Sequence, residues 1–131
     1  MTAALLDTHA WYWLFTGEKR LPDLAARTVE EAASAVVCSI SLYEIARKAR
    51  IGKWPGVDAD ALHGLLRESG RAAIDVVPAS PAAMIEAGRL DWDHRDPWDR
   101  LIAATALERR AVLVSADPAF DAVRGLERHW R

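Results

Sequence analysis

Short apolar runs alternate with helix-like stretches along the chain. Four runs are rich in aliphatic side chains and show no alternation of apolar and polar positions: residues 3–6, 35–40, 72–77 and 111–115. Such runs are typical of strands that are buried on both faces of a parallel sheet, although periodicity alone does not separate them from buried helix segments. A weaker segment, residues 126–131, is expected to add a short edge strand.

Helices are predicted between these strands, because the intervening stretches carry apolar positions at helical spacing and signals for their ends. They cover residues 8–16, 21–33, 41–51, 58–69, 81–90, 97–110 and, as a short helix, 118–123. Ser80, Asp96 and Asp117 are good N-caps, each followed by a proline that suits the first helical position. Alternating strands and helices indicate an α/β fold, with a parallel sheet between helices and one domain over residues 1–131.

Acidic residues recur at helix starts on the predicted carboxyl edge of the sheet. They are Asp7, Glu44, Asp99 and Asp117. Ligands of open parallel sheets bind at this edge. Clustered carboxylates repel one another unless a cation lies between them, and Mg²⁺ and Mn²⁺ prefer oxygen ligands. The pattern therefore points to metal-assisted attack of water on a phosphodiester.

Helix capping is the alternative explanation for each acid. Ser41-Leu42-Tyr43-Glu44 has the form of a capping box, in which the glutamate bonds back to the start of its helix. Asp96 is expected to cap more readily than to bind a metal, which leaves Asp99 as the acid that capping explains least. The four histidines are scattered and are expected to be surface or hydrogen-bonded residues rather than ligands.

Composition narrows the function classes. The chain has 131 residues, 51% of them hydrophobic, with 17 basic and 19 acidic residues and a net charge of −2. This balance excludes nucleic-acid binding through bulk positive charge but not through a local basic patch. The lone Cys38 excludes an internal disulfide, and no run is long enough to span a bilayer. We expect a cytoplasmic protein without a membrane anchor or signal peptide.

Four segments, in order, resemble the VapC-type toxin ribonucleases of the PIN-domain family. They are Leu5-Leu6-Asp7-Thr8-His9-Ala10, Ser41-Leu42-Tyr43-Glu44-Ile45-Ala46, His94-Arg95-Asp96-Pro97-Trp98-Asp99-Arg100-Leu101-Ile102-Ala103 and Leu113-Val114-Ser115-Ala116-Asp117. The resemblance implies a PIN-like three-layer sandwich with a five-stranded parallel sheet. It also implies a homodimer, a cognate antitoxin protein whose peptide blocks the site, and cleavage of structured RNA.

The same resemblance implies roles for individual residues. Asp7, Glu44, Asp99 and Asp117 would bind Mg²⁺ or Mn²⁺ and form the catalytic set. Asp96 would support Asp99 or replace it as a ligand, and Ser115 and Thr8 would be accessory residues near the metal. Four positions depart from the family pattern without touching the four acids. They are Arg47 in place of an aliphatic residue, Trp98 in place of phenylalanine, and Ala104-Thr105.

Contacts with RNA must be local, given the net charge. Lys48 and Arg100 are the better candidates, since they lie one turn after Glu44 and next to Asp99, and Arg47 is a further one. The alternatives are a solvated helix face or pairing with an acidic antitoxin. Trp11, Trp13 and Trp54 are candidates for stacking on bases, although core or dimer contacts are the more ordinary role.

Three functions fit the sequence. The leading hypothesis is a metal-dependent endoribonuclease that acts as a toxin. The second is a non-catalytic PIN-like module that binds RNA or protein, against which stands the presence of all four acids. The third is a metal-dependent phosphohydrolase that acts on small molecules.

Overall fold

A computed structural model describes residues 2–131. Within them a parallel sheet of five strands has the order β3-β2-β1-β4-β5. The strands are β1 (Ala3–Leu6), β2 (Ser34–Cys38), β3 (Ile74–Val77), β4 (Ala111–Val114) and β5 (Arg128–His129). The helices are α1 (Thr8–Thr16), α2 (Asp23–Glu31), α3 (Ile40–Arg50), α4 (Ala59–Arg71), α5 (Pro81–Arg89) and α6 (Pro97–Arg109), and a 3₁₀ helix covers Pro118–Ala122.

Successive side chains of a strand point to opposite sides of the sheet, and helices pack against both sides. On one face, Leu6 of β1 packs in a cluster with Trp11 of α1 and Ile45 of α3. On the other, Leu5 packs in a cluster with Ile102 of α6 and Phe120 of the 3₁₀ helix. The predicted three-layer α/β architecture is confirmed.

The strand order places β1 between β2 and β4, so the direction of winding reverses beside β1. The register aligns Leu6 with Val114, and the backbone N–H of Asp7 donates to the carbonyl oxygen of Val114 at 3.0 Å. The residues that follow β1 and β4 therefore start from neighbouring points of one edge. Such a reversal point is where ligands bind in open α/β sheets.

The predicted helix starts are accurate where the N-cap side chain bonds to the backbone of its own helix. Ser80, Asp96 and Asp117 each accept a hydrogen bond from a first-turn backbone N–H. The predicted capping box is wrong: α3 begins at Ile40, earlier than expected, with Ser39 as an N-cap that makes no side-chain hydrogen bond. Ser41 is instead buried inside the helix, and Glu44 has partners elsewhere.

The strands β2 to β5 are each shorter than predicted, β4 by one residue and β5 reduced to Arg128–His129. β2 ends at Cys38, since residues 40 onward already belong to α3. β3 begins at Ile74, because the chain leaves α4 through Ala72 and through Ala73, which has a left-handed φ of 57°. Among residues 2–131, no helix combines the length and apolarity needed to cross a membrane.

A candidate metal centre at the carboxyl edge of the sheet

Asp7 occupies the end of β1 and is held by hydrogen bonds on both carboxylate oxygens. As the N-cap of α1, it accepts from the backbone N–H of Ala10 at 2.9 Å. The hydroxyl of Ser115, which follows β4, donates to the other oxygen. The residue is 8% exposed. Burial raises its pKa to about 7, and the nearby charges of Asp99 and Glu44 add to this effect.

Glu44 lies one turn into α3 and is 4% exposed. Its Oε1 accepts from the hydroxyl of Thr8 at 2.6 Å, and its Oε2 pairs with the ammonium of Lys48 one turn later. The Thr8 hydroxyl also lies 2.8 Å from that of Ser41. The first turn of α1 therefore fixes Glu44 next to Asp7.

Asp99 is presented by the first turn of α6. Asp96 caps this helix, since one of its oxygens accepts from the backbone N–H groups of Trp98 and Asp99. The carboxylate of Asp99 itself faces the cavity, where its Oδ2 is 2.6 Å from Nε2 of His94. Burial raises the pKa of Asp99 to about 6, and the hydrogen bond to His94 opposes that rise.

Asp117 comes from the segment after β4 and starts the 3₁₀ helix. One of its oxygens accepts from the backbone N–H of Ala119 at 2.9 Å. His94, Asp99 and Asp117 each offer one ligand atom, and these atoms lie within 4.8 Å of one another. That spacing suits a single cation between them.

All four predicted acids line one cavity of about 270 Å³. The remaining lining residues are Thr8, His9, Lys48, His94, Asp96 and Phe120. The donor set fits a divalent cation: it is mainly carboxylate oxygen, and burial, together with the neighbouring carboxylates, raises the pKa of Asp7 and of Asp99. Binding a cation here would oppose that rise.

His94 is the site residue that the sequence did not reveal. The sequence predicts a surface or hydrogen-bonded histidine rather than a ligand; its hydrogen bond is to Asp99 of the acid cavity, and its ring packs against Trp92 with centroids 4.7 Å apart. The one available signal was its position five residues before Asp99, in the segment that precedes α6. That segment has no regular structure, so no periodicity indicated the direction of the side chain.

The predicted RNA contacts separate into different environments. Lys48 lines the cavity, paired with Glu44, and its ammonium lies 5.4 Å from the ring centroid of Trp98. Arg47 is exposed in the last turn of α3.

Arg100 requires a correction. Its guanidinium donates to the backbone carbonyl oxygens of Ala87, Leu90, Trp92 and His94, at 2.7–2.9 Å. Four of its five N–H groups are thus used inside the protein, and they fasten the segment between α5 and α6. These internal hydrogen bonds give Arg100 a structural role and argue against the predicted contact with RNA.

Comparisons with known proteins agree on one family. A family model for the PIN domain matches residues 4–126. Ribonuclease VapC22 from Mycobacterium tuberculosis is 32% identical over 117 residues, which cover 89% of this chain and 88% of that protein.

Solved structures share the fold over nearly the full length. VapBC2 from Rickettsia felis, bound to a DNA fragment from its promoter, has a TM-score of 0.70 and 18% identity, covering 98% of this chain and 99% of that one. VapBC-1 from nontypeable Haemophilus influenzae has a TM-score of 0.69 and 18% identity, covering 97% and 96%.

Proposed function

The chain belongs to the PIN domain family, and from that premise we propose that it is a metal-dependent endoribonuclease, the toxin of a toxin–antitoxin pair. The observation that carries the proposal is the convergence of acids from four separate segments on one cavity: Asp7, Glu44, Asp99 and Asp117. These acids would bind Mg²⁺ or Mn²⁺. The bound cation would supply Lewis-acid activation of water and compensation of charge on the phosphate.

The residues around the acids have supporting roles in this reaction. Ser115 and the N-terminus of α1 orient the carboxylate of Asp7, and Thr8 orients that of Glu44. His94 orients Asp99. Because Lys48 is the cation that lines the cavity beside Glu44, it is the residue best located to meet an RNA phosphate there.

The partners that we propose for this chain are those suggested by its relatives. VapBC-5 from Mycobacterium tuberculosis, a member of the VapBC family of toxin–antitoxin systems, shares the fold of this chain, which supports a cognate antitoxin protein for it. We propose that a segment of this antitoxin covers the acid cavity and blocks access of RNA. Cleavage of structured RNA and assembly into a homodimer remain predictions from the family.

Cleavage of total cellular RNA by the purified, antitoxin-free protein tests the function. Discrete fragments are expected with Mg²⁺ or Mn²⁺, none with EDTA, and none from Asp7→Asn, with activity reduced at least about 100-fold. Asparagine preserves the shape of a side chain whose pKa burial raises to about 7, so the variant should remain folded.

A matched control is Asp75→Asn, which changes an exposed aspartate of β3 away from the cavity. It should cleave as the wild-type protein does. A well-folded protein that cleaves no RNA with either metal, while still binding RNA, would contradict the nuclease and favour the non-catalytic module.

A further inference from the structure

A second cavity adjoins the acid cavity and is mainly aromatic. It measures about 610 Å³, within the range of small-ligand pockets, and we call it the aromatic pocket. Its lining consists of His9, Tyr12, Trp13, Glu18, Lys48, Lys53, Trp54 and Pro55. Of these, His9 and Lys48 also line the acid cavity, so the two cavities meet at these side chains.

The rings of the pocket form one continuous group. His9 and Trp54 are stacked, with centroids 4.7 Å apart and an interplanar angle of 19°. Tyr12 meets Trp54 edge-on at 5.1 Å, and Trp13 contacts His9 at 5.4 Å. The rings of His9, Tyr12 and Trp13 share a face of α1, because Tyr12 and Trp13 lie three and four residues after His9.

The fourth ring, Trp54, comes from the turn after α3. Gly52 and Gly56 flank this turn with left-handed φ values of 80° and 81°, which favour glycine. Pro55 restricts the backbone next to Trp54. The turn therefore has a defined shape that presents an indole ring at the surface, whereas Trp11 of α1 is fully buried in the core.

Positive charges surround these rings. The ammonium of Lys48 lies 6.0 Å from the centroid of Trp54, and that of Lys19 lies 4.9 Å from the centroid of Trp13. Lys53 lines the pocket as well, against the single acidic lining residue Glu18. Rings for stacking combined with cations for phosphates are the features by which proteins bind single-stranded nucleic acid.

We propose that the aromatic pocket is a nucleobase subsite, in which one unpaired base of the RNA stacks beside the cleaved phosphodiester. The proposal rests on the ribonuclease function. It follows from the junction of the two cavities: an RNA whose phosphate lies at the acids has a neighbouring nucleotide within reach of His9 and Trp54. Lys48, at the junction, would meet the phosphate between them. The subsite selects an unpaired base, because a base in a duplex has no free face for the rings.

The test compares Trp54→Ala and Trp54→Phe with Tyr43→Ala, an exposed aromatic of α3 that lines neither cavity. Each change is made in the wild-type protein for cleavage and in Asp99→Asn for binding. The binding probe is a fluorescent oligoadenylate, measured by anisotropy without metal. Trp54→Ala should weaken binding and lower kcat/KM about ten-fold, Trp54→Phe should retain most of both, and Tyr43→Ala should change neither.

A substrate with one base removed distinguishes stacking from a structural effect. In an RNA that spans a mapped cleavage site, an abasic nucleotide at the neighbouring position should slow the wild-type protein but cause no further loss in Trp54→Ala. Thermal unfolding of each variant monitors folding.

The outcomes separate this proposal from the function on which it rests. Metal-dependent cleavage with unchanged cleavage and binding in Trp54→Ala overturns the subsite and leaves the nuclease intact. Weaker oligoadenylate binding in Trp54→Ala, in a protein that cleaves no RNA, supports the subsite without the nuclease. Loss of antitoxin affinity with unchanged RNA binding overturns the subsite and assigns the pocket to the protein partner.

Discussion

The protonation of Asp7 links the candidate site to the stability of the fold. In an unfolded chain this carboxyl has a pKa near 3.8, whereas burial raises its pKa to about 7 in the folded protein. The folded state therefore retains a proton between about pH 4 and pH 7 that the unfolded state has released. Its stabilising contribution is complete below pH 4 and is lost as the pH rises through 7.

We expect the cation-free protein to lose stability between about pH 5 and pH 8. The part due to Asp7 should be about 2–4 kcal/mol, since one pKa unit corresponds to about 1.4 kcal/mol. Urea unfolding in EDTA at both pH values measures it. Asp7→Asn should show a correspondingly smaller loss, and an equal loss in this variant would show that another group holds the proton.

His94 is expected to act on the metal through Asp99. Its hydrogen bond lowers the pKa of that carboxyl, so His94→Ala should raise the pKa and let protons compete better with the cation. We expect Mn²⁺ affinity, measured by titration calorimetry, to fall about 10–100-fold, with the larger loss near pH 6. An equal loss at pH 6 and pH 8 would contradict this role, because protons compete less with the cation for Asp99 at the higher pH.

Among the elements, the conformation of the segment between α5 and α6 depends on one side chain. The guanidinium of Arg100 reaches back from α6 to four carbonyl oxygens of residues 87–94. The same segment carries His94, and its end caps α6 through Asp96. Arg100 therefore positions the partner of Asp99 as well as the loop.

Arg100→Lys should destabilise the protein by about 2–4 kcal/mol, because an ammonium cannot replace a planar fork that meets several acceptors. Amide hydrogen exchange of residues 90–96 should accelerate more than exchange of the sheet. Arg109→Lys, at the exposed end of the same helix, provides the control and should change neither. Unchanged stability in Arg100→Lys would mean that the loop is held by other contacts.

The elements also show where sequence reasoning succeeds and fails. The caps Ser80, Asp96 and Asp117 were predictable, because each bonds to a backbone group two or three residues away. The partner of Glu44 was not, since Thr8 is 36 residues distant in sequence. The sequence suggested a capping box for this glutamate because that is a local contact, whereas the structure shows a contact between two helices.

At the scale of the whole molecule, the strand pattern predicted a parallel sheet with acids at one edge. It did not give the order of the strands, which depends on packing between distant segments. Only that order makes β1 and β4 neighbours and brings Ser115 to Asp7, 108 residues away. The hydrogen bonds of Arg100 were hidden for a different reason, since its acceptors are backbone carbonyl oxygens, which the identity of a residue does not reveal.

The pairing of β1 with β4 also determines when, during synthesis of the chain, the site can be completed. Ribosomes make proteins from the amino end, so Asp7 is made well before Ser115, which follows it by 108 residues, and Asp117. A growing chain that stops before residue 111 lacks β4, which pairs with β1, and Asp117, one of the four acids of the cavity. The acid cavity is therefore complete only after β4 and the segment that follows it have been made.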